Sequence, residues 1–283
     1  LRPSDSPTRA LARRFVGSRR PRGSLAPLAR TPAGGICETT SSPPRVTVIV
    51  PALNEAESIA AVIRRVPYPP GAVIVADNGS TDGTAALALA AGARVVLVPR
   101  RGYGRACLAG IRADPDADVF VFLDADLSEA PEEMPSLVAP ITGGEADLVL
   151  GARGGRGRPW HARIGTTLCV GLINRLWRTG YEDLGPFRAI RASSLRALGM
   201  CDETWGWTIE MQVKAAERGL RVLEVIVASG PRAAGRSKIS GSLVGSARAA
   251  ARMLEIIARL RLTRRRRDFR VQSMCCRSEP PVG

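Results

Sequence analysis

Between residues 46 and 123 the chain alternates short apolar runs with stretches of helical spacing, and this alternation limits the fold more than any other feature of the sequence. Val46 to Ala52 is a β-branched run, and Glu55 to Val66 follows with Ile59, Val62, Ile63 and Val66 on a 3.6-residue repeat. Ala72 to Ala76 reads as a second strand, Asp82 to Ala91 as a helix and Arg94 to Val98 as a third strand. Gly104 to Ala113 reads as a helix, and Val119 to Leu123 as a fourth strand that does not alternate and is therefore buried on both faces. Such a βαβαβαβ series predicts an α/β fold, a mostly parallel central sheet with helices on both faces. The 283 residues suffice for one large domain whose core needs no staples. Ligands of such sheets bind beyond the C-terminal ends of the strands.

Three of those ends carry polar groups. Pro51, Asn54 and Glu55 follow the first strand, and Asp77-Asn78-Gly79-Ser80-Thr81-Asp82-Gly83-Thr84 follows the second. Asp124 and Asp126 follow the fourth. Taken singly, each has a plain structural role: Asp82 as a helix cap, Asn78-Gly79 as a turn. Their convergence on one edge points to a site. Two carboxylates one residue apart suit a hard divalent cation, Mg²⁺ or Mn²⁺, held beside a diphosphate.

The formal charge of +15 suggests nucleic acid at first, but its distribution argues against a specific nucleic-acid partner. Residues 1–44 hold eight arginines against two acids and residues 263–283 hold six against two, so most of the excess lies at the ends. Both end segments lack hydrophobic periodicity and read as disordered basic tails. The first is Arg- and Ser-rich like an organelle transit segment but has no apolar core of a secretory signal; because the chain begins at Leu1 rather than Met, a misassigned start explains it equally well. Six cysteines without C-x-x-C spacing and a single histidine, His161, argue against structural zinc and predict reduced thiols in the cytoplasm. No apolar run approaches the roughly 18 residues of a membrane span.

Val48-Ile49-Val50-Pro51-Ala52-Leu53-Asn54-Glu55, then Ala76-Asp77-Asn78-Gly79-Ser80-Thr81-Asp82-Gly83-Thr84, then Leu123-Asp124-Ala125-Asp126 resemble the successive signatures of family 2 glycosyltransferases with the GT-A nucleotide-sugar-binding fold. The resemblance spans roughly residues 45 to 230. It implies that Pro51, Asn54, Glu55 and Asp77 surround the base and ribose of a nucleotide-sugar donor, that Gly104 and Arg105 approach its phosphates, and that Asp124 and Asp126 hold the metal. Many members have a second aspartate where this chain has Asn78. Farther on, Gly151-Ala152-Arg153, Asp183-Leu184-Gly185-Pro186-Phe187-Arg188-Ala189, Ile209-Glu210-Met211 and Arg232-Ala233-Ala234-Gly235-Arg236-Ser237-Lys238 resemble the branch of dolichyl-phosphate mannose and glucose synthases. That branch transfers a hexose to a polyprenyl phosphate. The resemblance associates Arg153, and secondarily Arg163, with the acceptor phosphate, and Arg232 and Lys238 with anionic groups closing over the donor. Two phosphorylated substrates repel each other, and fixed cations offset this.

The reaction expected is a metal-dependent direct displacement with inversion at the anomeric carbon. A phosphate acceptor is already anionic and needs no strong base, in which case Asp183 and Glu210 orient basic side chains; a sugar hydroxyl on a soluble or saccharide acceptor would make one of them the base. Two other classes stay open. A nucleotidyltransferase shares the sheet and the carboxylates but is expected to carry a glycine-rich basic loop where this chain has Pro51 to Glu55, and a nucleic-acid-binding protein would use the basic tails. Gly102-Tyr103-Gly104-Arg105-Ala106-Cys107 is only part of a dinucleotide fingerprint and follows the third strand rather than the first. Gly154 to Arg158 reads as a loop over the site, and Trp160 and His161 receive no catalytic role.

The organisation expected is a tail over 1–44, a catalytic domain over 45–241, an amphipathic helix over 242–262 and a tail over 263–283. In that helix Leu243, Ala247, Ala250, Leu254, Ile257 and Leu260 share one face, and Arg248, Arg252 and Arg259 another. The helix either packs on the catalytic domain or, followed by Arg264 to Arg267, meets anionic lipid. A polyprenyl phosphate stays in the bilayer. The second alternative therefore predicts a cytoplasmic protein peripheral to the membrane's cytoplasmic face, or one with a membrane-protein partner.

Overall fold

A computed structural model describes residues 13–16, 43–153, 160–230 and 251–263. One eight-stranded sheet organises them. Its parallel block consists of β2 (Val46–Ala52), β3 (Val73–Asp77), β4 (Arg94–Leu97) and β5 (Val119–Phe122), as the alternating pattern predicts. β2 lies between β5 and β3, with Ile49 opposite Phe122 and Ala52 opposite Asp77. The chain steps outward from β2 to β4 and then returns to β5 on the other side of β2. The strand order thus reverses between β2 and β5, which opens a crevice at their C-terminal ends.

The remainder of the sheet departs from the parallel pattern at two places. β6 (Leu148–Arg153) and β8 (Val222–Val227) are parallel to each other, but β7 (Arg188–Arg191) is inserted antiparallel between β5 and β6. β6 is therefore parallel to β5, and Arg153 at its end emerges on the same edge as Asp124 and Asp126. Because β7 runs the opposite way, the segment before it, with Asp183, also lies on that edge. The second departure is β1 (Arg13–Val16), which pairs antiparallel with the outer edge of β8 and buries Val16. The reading of residues 1–44 as wholly without order fails at these four residues. Their main chain finds ladder partners on an edge strand that would otherwise present unpaired N–H and C=O groups.

Side-chain alternation divides the core between the two faces. Val48 and Val50 face α1 (Ile59–Arg65) and α4 (Met134–Thr142), together with Val119 and Val121. Ile49, Phe120 and Phe122 face the opposite side, with α3 (Tyr103–Arg112), α5 (Trp160–Trp177) and α7 (Trp207–Glu217). The Phe122 ring meets Trp207 edge-on at 5.9 Å. α3 approaches β2 closely only because residue 110 is glycine: a Cβ there would stand 2.7 Å from Ile49 Cγ2. The remaining helices are α2 (Thr84–Ala90) and α6 (Ala192–Leu198).

Residues 251–263 are helical and belong to this same unit. Ile256 and Ile257 are buried in the second core, with Met253 and Leu260 against it. Of the face expected from the sequence, Leu254 is 44% exposed, whereas Ile256, which was not assigned to it, is buried. Packing on the catalytic domain is thus the observed arrangement for this part of the helix, and residues 242–250 lie outside the described residues. Among those described, no helix is long and apolar enough to cross a membrane.

Glu224 on β8 is buried and accepts the backbone N–H of Glu182 at 3.0 Å. Burial pushes its carboxyl up to about 7, with Glu182 and Asp183 adding to the rise and the backbone donors opposing it. The unfolded chain releases this proton near the ordinary value, about 4.3, so the native state loses stability as pH rises from there to about 7. Glu224→Gln removes that loss. Urea unfolding is expected to show a variant more stable than the parent at pH 8, by up to about 3 kcal/mol, with the difference shrinking towards pH 4.

Candidate active site

The loops after β2 and β3 are stitched into one wall. Asn54 adopts a left-handed conformation (φ 52°), and its Oδ1 accepts the Thr81 N–H at 2.8 Å. The N–H groups of Asn54, Glu55 and Ala56 donate to Ser80 Oγ, Thr84 Oγ1 and Asp82 Oδ2. Burial raises the Asp82 carboxyl, but hydrogen bonds from Thr84 and Ala56 outweigh it and hold the group below its ordinary value. Asp77 is buried at the end of β3 and accepts the Ser80 N–H at 3.0 Å.

Asn78 is a tether. Its Nδ2 donates to the carbonyls of Val98 and Arg100, and its Oδ1 accepts the Gly102 N–H at 2.7 Å. A carboxylate has no donors for those two carbonyls. The departure at position 78 therefore belongs to loop architecture.

The opposite wall is a cluster of acids. Ser58 Oγ donates to the Ala125 carbonyl at 2.7 Å and fixes the turn that carries Asp124 and Asp126. Asp124 Oδ1 accepts Tyr103 Oη–H at 3.2 Å, and Asp126 Oδ1 accepts the Ser128 N–H at 2.9 Å. Glu129 is 2% exposed; one oxygen accepts from Ser128 Oγ, and Oε1 has no hydrogen-bond partner and stands 3.8 Å from an Arg153 guanidinium nitrogen. Arg153 is gripped by Asp183 in a two-pronged bond, Nε to Oδ2 at 2.6 Å and the second nitrogen to Oδ1 at 3.0 Å.

Electrostatics follow from this crowding. Burial, then the charges of Glu129 and Asp126, push the Asp124 carboxyl up to about 8. Burial also raises Glu129, against the pull of Arg153. The donors that Asp124 and Asp126 present are oxygen, as Mg²⁺ or Mn²⁺ requires. Among the described residues no group of three or more His, Cys, Asp or Glu side chains is arranged around one metal position. Asp124 and Asp126 thus fit a partial site whose other ligands would be diphosphate oxygens and water.

Between the walls lies a cleft of about 560 Å³. Pro51, Glu55, Asp124 and Asp126 line it, as the sequence predicts, and so does Asn78. Tyr103, Trp205, Arg101 and Arg252 also line it, and sequence reasoning did not assign these. The Tyr103 and Trp205 rings stack at 5.8 Å. Trp205 sits in the polar run Cys201-Asp202-Glu203-Thr204-Trp205-Gly206, where an aromatic without helical or strand spacing was the available signal.

Several predicted residues are placed elsewhere. The N–H groups of Gly104 and Arg105 donate to the carbonyls of Thr204 and Glu203, both at 3.0 Å, and the Arg105 side chain pairs with Glu203. The start of α3 is therefore covered by the 201–206 loop, and its amides are already committed. Glu210 is buried, accepts the Asp202 N–H at 2.7 Å and pairs with Lys214 at 2.8 Å. Burial raises its carboxyl, but donors from Cys201, Lys214 and Asp202 outweigh this and keep it below its ordinary value. It anchors the loop beneath the cleft instead of lining it. Arg232 and Lys238 lie outside the described residues, as does the side chain of Arg163.

Residues 47–199 match Glycosyl transferase family 2. An uncharacterised glycosyltransferase of Mycobacterium tuberculosis is 44% identical over 204 residues, which cover 71% of this chain and 92% of that protein. The undecaprenyl-phosphate mannosyltransferase of Micrococcus luteus is 32% identical over 72% of this chain and 90% of its own length. Among solved structures, glucosyl-3-phosphoglycerate synthase of M. tuberculosis, in complex with Mn²⁺, UDP and glucosyl-3-phosphoglycerate, is similar with a TM-score of 0.64 and 28% identity, covering 77% of this chain and 80% of that one. From its motifs, its sheet and these likenesses together, the chain belongs to glycosyl transferase family 2.

Proposed function

We propose that the protein moves a hexose, with inversion, from a UDP- or GDP-linked donor to a polyprenyl phosphate. The observation that carries this reading is the Arg153–Asp183 fork. A hydroxyl acceptor needs a carboxylate free to take its proton. Asp183 is committed to a guanidinium, and Glu210 to loop amides and Lys214. An acceptor that arrives as an anion needs cations instead, and Asp183 holds Arg153 in a fixed orientation on the edge where Asp124 and Asp126 emerge. The naming of the M. luteus relative for undecaprenyl phosphate supports the same acceptor class.

In this reading Asp124 and Asp126 would hold Mg²⁺ or Mn²⁺, which would supply Lewis-acid stabilisation of the leaving diphosphate. Pro51 and Glu55 flank the nucleoside, with Asp77 behind them in the loop wall. Tyr103 orients Asp124 through its hydroxyl. Glu129 and Asp183 restrain Arg153, whose guanidinium would offer its charge to an acceptor phosphate. Arg232 and Lys238 are proposed to close over the donor. A second reading, a soluble phosphorylated acceptor, draws on the M. tuberculosis complex, which contains glucosyl-3-phosphoglycerate.

A polyprenyl phosphate requires contact with a bilayer, and we place that contact at the cytoplasmic face, directly or through a membrane-protein partner. α5 supports direct contact: Ile164 and Leu168, one turn apart, are 50% and 65% exposed. Replacing both with serine is expected to lower binding to anionic liposomes in a flotation assay while leaving the melting temperature unchanged. Equal binding by parent and variant assigns membrane contact to another surface.

The acceptor is tested by measuring nucleotide release from UDP- and GDP-sugars with Mn²⁺, in the presence of either a polyprenyl phosphate or 3-phosphoglycerate. Release that depends on the lipid phosphate is expected; release with 3-phosphoglycerate alone selects the second reading. Asp126→Asn keeps the side chain's shape and is expected to lower turnover by at least ~100-fold without loss of fold. Turnover near that of the parent rejects the metal assignment.

A further inference from the structure

The helix over residues 251–263 forms part of the cleft wall as well as packing on the core. Its position is fixed at two points. Ile256 is buried against Gly206, where a Cβ would stand 2.4 Å from Ile256 Cδ1. Arg259 reaches Asp202 Oδ2 at 3.2 Å. Asp202 in turn accepts the Thr204 N–H and hydroxyl, both at 2.8 Å, and so fixes the loop carrying Trp205.

Residues four and seven apart share a helix face. Arg252, Ile256 and Arg259 therefore lie on the face that meets the rest of the fold, and Arg252, one turn before Ile256, lines the cleft with Asp124 and Asp126. Its bond is to Glu255 at 2.6 Å, three residues on along the same helix and itself largely exposed. A solvent-exposed pair of this kind is weak and easily exchanged for a stronger acceptor. A guanidinium carries a planar fork of donors that matches phosphate oxygens. Arg101 is a second cation of the same lining.

We propose that Arg252 is a phosphate-binding residue of the cleft, exchanging Glu255 for a phosphate oxygen when substrate enters. The C-terminal helix then belongs to the binding site. The assignment rests on the reading of the cleft as a site for phosphorylated substrates, and the phosphate is either the donor's diphosphate or the acceptor's monoester. A role confined to the helix surface, with Arg252 serving only its Glu255 pair, makes the opposite forecast for Glu255 variants.

Full-length Arg252→Gln and Glu255→Gln are to be compared with the parent by calorimetric titration with UDP and GDP in Mn²⁺, by KM for a polyprenyl phosphate, and by melting temperature. Arg252→Gln is expected to weaken binding by about tenfold at an unchanged melting temperature. A weaker nucleotide Kd identifies the donor's diphosphate, and a raised acceptor KM alone identifies the acceptor. Glu255→Gln is expected to bind as tightly as the parent or more tightly, and Arg252→Lys to recover part of the loss. Unchanged Kd and KM in Arg252→Gln, or equal weakening in both glutamine variants, overturns the assignment. A parent protein that binds neither UDP nor GDP with Mn²⁺ overturns the donor reading beneath it, a result distinct from tight binding that ignores Arg252.

Discussion

The position of β2, held between β5 and β3, governs where chemistry can occur. Chain reversal at that point makes β2 and β5 neighbours in the sheet although β3 and β4 separate them in sequence. Whatever polar residues follow those strands must then face one another. The antiparallel insertion of β7 adds a second consequence, because it brings Asp183 to the edge on which Arg153 ends β6. Two independent sheet features thus deliver one cluster of charge.

That cluster is balanced by unequal means. Arg153 is locked by Asp183 and restrained by Glu129, whereas Asp124 accepts from the Tyr103 hydroxyl and Asp126 from the Ser128 N–H. Close by, Arg188 is fully buried and donates to the carbonyls of Gly185 and Thr208. Burial, aided by the charge of Arg153, pulls this group down to about 10 against the opposing pull of Tyr103 and Asp183. It braces the turn before β7 through carbonyl oxygens. The arginines of the edge therefore differ by partner: Arg188 is enclosed by main chain and Arg153 by carboxylates.

Much of the parallel block was legible from the sequence because its strands are continuous apolar runs and its helices keep a 3.6-residue repeat. That Pro51, Glu55, Asp124 and Asp126 gather at one edge of the sheet was legible for the same reason: each lies at or just past a strand end that could be read. The structure places them on the cleft. The covering of Gly104 and Arg105 was not legible, since it depends on a loop nearly a hundred residues away folding over the start of α3. The burial of Glu210 was not legible either, because it depends on the 201–202 main chain turning back onto its carboxylate. Nor was β1, four residues in a polar tail whose pairing is supplied by the main chain of β8 rather than by their own side chains. The helix face was misjudged by two residues at Leu254 and Ile256, because Ala and Arg positions around them permit more than one apolar stripe.

The covering of α3 also bears on how the protein can be recombined. A Cβ at Gly102 would stand 2.2 Å from the Glu203 carbonyl oxygen, and one at Gly104 would stand 2.0 Å from that of Asp202. At these two glycines the segments touch main chain to main chain. The start of α3 and the 201–206 loop therefore behave as one module despite their separation in sequence. A chimaera that exchanges either segment alone, in an attempt to transplant donor or acceptor preference from a relative, inherits a collision at this seam; only joint exchange of residues 102–105 and 201–206 preserves it.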